Sequence, residues 1–580
     1  MKAMTFALMS GLLVVALSAQ DTPTRGGVKP GQDSLMFAYA SDPNTINPVI
    51  ANDTTSGAFM QWVIEALADR KFSNPDQWEP VLAESWDFDK EKLEYTIRLR
   101  KGILWQPTKY PDGTAIPSKE FTSADVKFTF DCILNRHVNA GSIRSYYEDP
   151  DAQEESEKIK ITVDVVDDYT VKIRWKKPYF QIFEFTFGIG IIPKHVYSMD
   201  EKGEAISLDT SSEEFAKGFN EHWHNSTLCG TGPLLLSEWK KNEHLELVRN
   251  PKYWGKPFYF SKVKFKNVPN PNTVRQMLLS GELDWAAIGE KILYVQTKDD
   301  PAVKKTAKVK LVEYDYPSYV YLGYNQKRPV FRQKEVRWAL GHAIPLEKII
   351  DKVMLGYAKR LSGPFLPGSS SYNEKLSLIP YDPTKAKTML EAAGWKDTNS
   401  NGLRDKNVDG KQVEMKFDLI IPSKSPQYQT IAEILKEEFR QVGVELQISP
   451  VEWATMLDKL NKKEFDTCIL GWALGWKQDP FQIFHGSQSE VPDSSNFIGY
   501  DNKDLNKLIE TLRITIDEAE QKKLYHEIHR IIYEDQPYTF FYVTKATSGH
   551  LARINNVSFY KIRPCYDARE WFAKPEDARK

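Results

Sequence analysis

The sequence predicts a mixed α/β protein of two or three domains. Runs with a helical hydrophobic period alternate with runs of period two along the whole chain. Hairpin-like pairs of strands interrupt that alternation, which argues against a parallel barrel. The 580 residues exceed what a single core organises, so the chain must divide. Linkers between the periodic runs are short, so the domains should meet through tight crossings and not a long tether.

The elements follow in order. Residues 35–39 (LMFAY) read as a strand stopped by DPNTINP, and 57–67 as a helix with Phe59, Val63, Ile64 and Leu67 on one face. A strand is expected at 95–99. Ser123 then caps a helix over 124–134, with Val126, Phe130 and Ile133 inward. Residues 159–165 and 169–175 form a hairpin, and 234–239 with 244–249 another antiparallel pair. A strand at 263–268, a helix at 272–279 closed by Ser280-Gly281, and a short strand at 283–286 follow. Residues 309–314 and 318–324 are strand-like. Helices are expected at 334–343, 346–354 and 384–393, then strand–helix–strand at 413–420, 428–442 and 444–448. A strand at 466–470, helices from 456, 505 and 518, and a last strand at 539–542 complete the prediction.

Residues 6–19 are uncharged and largely apolar, shorter than a bilayer span, preceded by Lys2, ending in small residues and followed by QDTPTRGG. That order predicts a secretory signal peptide over 1–19, cleaved after Ser18 or Ala19, and no cysteine follows to carry a lipid anchor. The expected compartment is the periplasm. Seventy-seven basic residues against 79 acidic ones leave no surplus to neutralise nucleic-acid phosphates, so no nucleic-acid partner is expected. Cys132, Cys229, Cys468 and Cys565 form no CxxC pair; disulfides and free buried thiols are equally good readings. His222, His224, His526 and His529 lack metalloprotease spacing and are expected at the surface. No nucleophile motif or phosphate-cradling loop occurs, which argues against a secreted hydrolase.

Four blocks of sequence resemble a known family. PVLAESW (80–86), YTIRLRKGILW (95–105), PDGT (111–114) and SADVKFTF (123–130) form the first. CGTGPLLLSEW (229–239), RNPKYWGKP (249–257) and LLSGELDWA (278–286) form the second. YLGYN (321–325), VRWALGHAI (336–344) and YDPTKAKTMLEAAGW (381–395) form the third; FDTCILGW (465–472), SNFIGYDNKDLNKLI (495–509) and LYHEIHRIIYEDQPYTFFY (524–542) form the fourth. Taken in order, they resemble the extracellular solute-binding proteins of family 5, the peptide, dipeptide and nickel binding proteins of ABC importers. The resemblance implies a two-lobed, hinged fold of the periplasmic-binding-protein type II, with an inserted third domain in lobe one. It places lobe one at 20–65, 205–305 and 537–580, the insertion at 66–204 and lobe two at 306–536. The lobes would cross near LVEYDYPSYVYL and PYTFFYV, which hold aromatics and few glycines, so a hinge there spreads its dihedral change over several residues.

The implied role is capture of an extended oligopeptide by lobe closure, by a monomer that delivers it to an inner-membrane permease and ATPase. A metal chelate or an oligosaccharide is the alternative solute, and sensing or chaperoning without transport the alternative role. By resemblance Gly471, Trp472 and Ala473 run beside the peptide backbone, where only a small residue permits close approach. Trp453 lines the cleft, and Asn52, Asp53, Thr54 and Thr55 face the ligand, though this last group also reads as a helix cap. Peptide-binding relatives often carry an aspartate shortly after the GW strand to pair with the peptide α-amine. Gly475 and Trp476 stand there instead, and Asp479 belongs to a structural DP turn. No cofactor is expected. Asp397, Asn399, Asn401 and Asp405 have the spacing of a calcium loop, but Val408 replaces its bidentate glutamate, so an Asx-rich turn is the default reading and calcium the alternative.

Overall fold

The computed structural model describes residues 30–579, apart from 32, 44, 52, 150, 151, 153, 155–157, 424, 492 and 493. The expected signal peptide, 1–19, lies outside these residues. Among them, no helix is long and apolar enough to cross a membrane.

Three large sheets organise the mixed α/β fold. The first has the order Ser34–Tyr39, Lys262–Asn267, His244–Arg249, Leu234–Lys240, parallel in its first pair and antiparallel thereafter. Alternation of buried Leu35 and Phe37 with half-buried neighbours lays one face of its edge strand on an aromatic core. Phe37 stacks on Phe265 at 5.2 Å there, and Phe59 meets Phe265 edge-on at 5.0 Å. The second sheet is antiparallel throughout, in the order Ala83–Asp89, Glu94–Leu99, Thr170–Trp175, Ile161–Asp167. The helix Ser123–Leu134 buries Val126, Phe130 and Ile133 in a separate core with Ile97 and Ile173 of this second sheet.

The third sheet has eight strands, and its spine is the 14-residue strand Tyr538–Leu551. The first half of that strand pairs with Ser318–Tyr324, the second half with Val309–Asp315 and Trp285–Ala287. Both predicted crossing segments therefore lie side by side, antiparallel, from Val309 and Leu551 at one end to Gly323 and Tyr538 at the other. Beyond Ser318–Tyr324 the sheet continues through Thr467–Ala473, Lys416–Pro422 and Glu445–Val451; these last three run parallel.

Several expectations need correction. The helix expected over 57–67 spans Thr54–Met60. Past Met60 the carbonyls of Trp62 and Val63 accept from Leu234 and Gly232 at 3.2 and 2.9 Å, so pairing with a neighbouring segment ends the helix. Thr122, not Ser123, is the cap of the next helix, because Asp125 reaches back to the Thr122 amide at 3.0 Å while the Ser123 hydroxyl donates to the Asp167 carbonyl. The last strand extends nine residues beyond 539–542. Its second half, TKATSGHL, lies beyond the predicted strand, yet Thr547, Ser548 and His550 are buried because strands flank it on both edges. Gly549 packs closely there: a Cβ would stand 2.8 Å from Leu278 Cδ2, so that side chain would have to shift. His222, His224 and His529 are buried, not at the surface. His224 packs on Tyr197 and Trp223, and His529 accepts from the Asn373 amide at 3.0 Å. Burial pushes His529 down to about 3. All four cysteines are buried free thiols.

A buried ionic clasp joins the start of the described chain to its end. Asp284, fully buried, accepts from the Met36 amide at 2.8 Å, from Arg553 at 2.7 Å and from Arg579 at 3.0 Å. Arg553 also pairs with buried Asp33 and donates to the Ser34 carbonyl at 2.8 Å. Removing one partner leaves buried charge uncompensated. Asp284→Ala should therefore lower stability by roughly 3–5 kcal/mol in urea denaturation, whereas Asp87→Ala, on an exposed pair with Arg98, should change it by less than about 1 kcal/mol.

Lys291 supports the crossing. Its ammonium donates to the Lys545 carbonyl at 2.7 Å and to Thr547 Oγ1 at 3.1 Å. Burial pushes its pKa down to about 8, against the opposing pull of Glu313. A folded-state pKa below the unfolded one disfavours folding at pH values where Lys291 must be charged, and the penalty relaxes as pH rises. Wild type should gain stability relative to Lys291→Met between pH 8 and 10; parallel profiles in pH-dependent urea melts would contradict this.

Candidate functional site

Three parallel strands end on the same side of the large sheet, at Pro422, Val451 and Ala473. Ligand clefts of open α/β sheets form at such carboxyl ends. Each strand delivers residues there. After Pro422 the chain enters the helix Pro426–Gln441, capped by Ser425; after Val451 it enters Trp453–Asn461; after Ala473 it continues as Leu474-Gly475-Trp476.

The strand Thr467–Ala473 offers an unfilled backbone edge. Its pairing with Lys416–Pro422 covers only Leu419↔Thr467 and Ile420↔Cys468. On the other edge it pairs with Ser318–Tyr324 throughout. The Leu474 amide donates to the Pro317 carbonyl at 2.8 Å, which fixes the phase of that antiparallel ladder. Trp472 and Leu470 then bond towards Tyr319 and Tyr321, while the amides and carbonyls of Gly471 and Ala473 point the opposite way. Among the described residues no strand pairs with that edge beyond Cys468. Gly471 and Ala473 are exposed, and a Cβ on Gly471 would stand 3.1 Å from the Tyr319 carbonyl oxygen and 3.7 Å from Tyr428 Oη. Side chains alternate, so Trp472 lies on the face of Cys468 and Leu470, stacked on Phe497 with centroids 5.8 Å apart.

A cleft of about 540 Å³ opens beside the end of this strand. Leu474, Gly475 and Trp476 form one wall, and Gly57, Met60 and Gln61 of the helix Thr54–Met60 and its cap face them. A second cavity of about 340 Å³ shares Asp69, Arg70, Asp567 and Arg569 with it and extends it towards Tyr253 and Lys256. The charges are organised as pairs. Arg70 meets Glu184 at 2.6 Å; Arg569 meets Asp567 at 2.8 Å and Asp69 at 3.4 Å. Behind the wall, burial raises the Glu65 carboxyl against hydrogen bonds from Trp254 and Tyr253.

The residues singled out from sequence fall in different places. Asn52 lies outside the described residues. Asp53 is the helix cap, accepting from the Ser56 amide at 2.8 Å, so its carboxylate is engaged locally. Thr54 and Thr55 are the first two helical residues, and the cleft is lined one turn later, by Gly57, Met60 and Gln61. Trp453 opens its helix at the carboxyl end of Glu445–Val451, 53% exposed, with exposed Leu457 one turn on; neither lines the two cavities. Asp479 pairs with Arg513 at 2.9 Å and caps Phe481 at 3.0 Å. Sequence reasoning missed Leu474, next to Ala473, and the charged pairs, which come from segments up to 500 residues apart and leave no local signal.

The Asp397 loop closes on its own backbone. Asp397 accepts from the amides of Asn401 and Gly402 at 3.1 and 3.0 Å, and Asn399 from Asn401 at 3.1 Å. Asp405 accepts from the Thr398 amide and hydroxyl at 2.9 and 2.6 Å and from Gln412. This is the geometry of an Asx-rich turn. No group of three or more metal-ligating side chains occurs among the described residues.

The geometry predicts separable effects. Gly471→Val puts a branched side chain beside the open edge, where overpacking costs roughly 1–3 kcal/mol, so peptide binding should fall about tenfold or more. Trp472→Ala removes packing from Phe497 and should chiefly lower the unfolding midpoint. Calorimetric titration and thermal melts of both variants check this; unchanged affinity in Gly471→Val would remove the strand edge from the site.

Comparison with known proteins agrees with this architecture. The family model described as bacterial extracellular solute-binding proteins, family 5 Middle, matches residues 77–492. The oligopeptide-binding protein AppA of Bacillus subtilis is 28% identical, covering 97% of this chain and 98% of its own. The solved structure of AppA from Bacillus subtilis in complex with a nonapeptide superposes with a TM-score of 0.71 at 26% identity, over 94% of this chain and 100% of that one. NikZ from Campylobacter jejuni in complex with Ni(L-His) also gives 0.71, at 25% identity and the same coverage.

Proposed function

We propose, for a chain that belongs to the bacterial extracellular solute-binding proteins of family 5, the role of periplasmic substrate-binding component of an ABC importer that captures extended oligopeptides. The observation that carries this reading is the open backbone edge at Gly471 and Ala473 beside the cleft. An extended peptide carries its own unpaired amides and carbonyls, and burying them without partners is costly. The edge supplies those partners whatever the side chains, which is strand addition with loose sequence selectivity. The nonapeptide named with the structure of AppA from Bacillus subtilis supports a ligand of this kind.

Closure brings 306–536 towards the remainder, 20–65, 205–305 and 537–580 with the insertion 66–204, about the paired crossing strands. A ligand drives closure only through its preference for the closed form. The bound peptide then passes, uncleaved, to a permease and ATPase in the inner membrane.

Mass spectrometry of small molecules released from the protein after purification from the periplasm tests the proposal. The expected result is a mixture of short peptides of varied sequence. A single non-peptide compound, such as a metal chelate or an oligosaccharide, in place of peptides would refute it, as would peptide fragments accumulating on incubation with the purified protein.

A further inference from the structure

The charge balance of the cleft names the end of the ligand that it holds. Six charged residues line the main cavity: Asp69, Arg70, Glu184, Arg563, Asp567 and Arg569. All three carboxylates are already paired, Glu184 with Arg70 at 2.6 Å, Asp567 and Asp69 with Arg569 at 2.8 and 3.4 Å. In the adjoining cavity Lys71 pairs with Glu79 at 3.6 Å and Lys256 with Glu570 at 3.3 Å. Arg563 alone has no ionic or hydrogen-bonded partner among the described residues, and its side chain is exposed to the cleft that it lines. A ligand ammonium entering here would have to displace an arginine from its carboxylate. A ligand carboxylate meets a guanidinium whose forked donors are unengaged, a geometry suited to two parallel charge-assisted hydrogen bonds.

We infer that Arg563 recognises the C-terminal carboxylate of the ligand and thereby fixes the direction in which an extended chain lies along the Gly471–Ala473 edge. Gly475 and Trp476, on the facing wall, carry no carboxylate to compete for an α-amine. The assignment rests on the peptide reading proposed above, and it makes selectivity depend on one ligand end while the interior of the chain is held through its backbone.

Isothermal titration with three matched pools of random-sequence peptides tests it: free at both ends, C-terminally amidated, and N-terminally acetylated. Amidation should weaken binding about tenfold, the scale of one hydrogen bond to a charged group, and acetylation should leave it unchanged. In Arg563→Gln the free and amidated pools should bind alike, at the weakened level, with the unfolding midpoint unaltered. Equal binding of free and amidated peptides by the wild-type protein, or a loss on acetylation instead, would overturn the assignment and leave the peptide reading standing. Failure of all three pools to bind would sink the peptide reading and this assignment with it.

Discussion

The pairing of two crossing segments is the interaction on which the rest of this molecule depends. The strand Tyr538–Leu551 is shared between two bodies, its first half belonging to the ladder that ends at Glu445–Val451 and its second to the ladder with Val309–Asp315 and Trp285–Ala287. A chain that crosses once is a tether; two chains crossing in register form a ribbon. A ribbon bends across its flat face more readily than it twists or shears, because shear would break several hydrogen bonds at once. Lys291 adds a further restraint by binding the backbone of the shared strand from the side. The open edge at Gly471 lies one strand away, so any flexing of the ribbon is felt directly at the cleft.

A second set of contacts bypasses the ribbon. The antiparallel sheet built from residues 83–175 is followed by a segment that reaches the body carrying the large sheet. The Phe180 amide donates to the Arg513 carbonyl at 2.9 Å and Gln181 to the Lys477 carbonyl at 2.8 Å, while Trp476 donates to Asp76 at 2.6 Å. Arg513 itself lies 4.2 Å from the Phe481 ring and pairs with Asp479. These bonds hold the segment Leu474–Trp476, one wall of the cleft, between two parts of the protein. Only the first joins backbone to backbone; the second needs the Gln181 side chain, and the third needs both the indole and the carboxylate. Opening the cleft would expose them to water, which replaces them at small net cost.

Much of this architecture is legible in the sequence. The strands at 95–99, 263–268 and 318–324 and the helix at 428–442 follow from hydrophobic period, and the crossing segments stand out by their aromatics. What failed did so for identifiable reasons. TKATSGHL gives no strand signal because burial between two strands needs small residues and not large apolar ones. His224 and His529 look like surface residues because sequence carries no sign of the rings packed around them. At the site, Gly471 was accessible to reasoning, since a glycine at a strand end asks for close backbone approach. The arginine–carboxylate pairs of the cleft were not, because Asp69 and Arg569 approach one another only in three dimensions.

The clasp of Asp33 and Asp284 with Arg553 and Arg579 bears on how the chain is made. A polypeptide emerges from its N-terminus, whether from the ribosome or through a translocation pore. Ser34–Tyr39 waits for Lys262–Asn267 before it can pair at all. Even then, Asp33 and Asp284 keep two negative charges in an unfinished interior until the final thirty residues arrive with their guanidinium groups. Long-range closure of this kind is slow and cannot be completed on a partial chain. The first sheet therefore cannot be locked before Arg553 and Arg579 join the carboxylates.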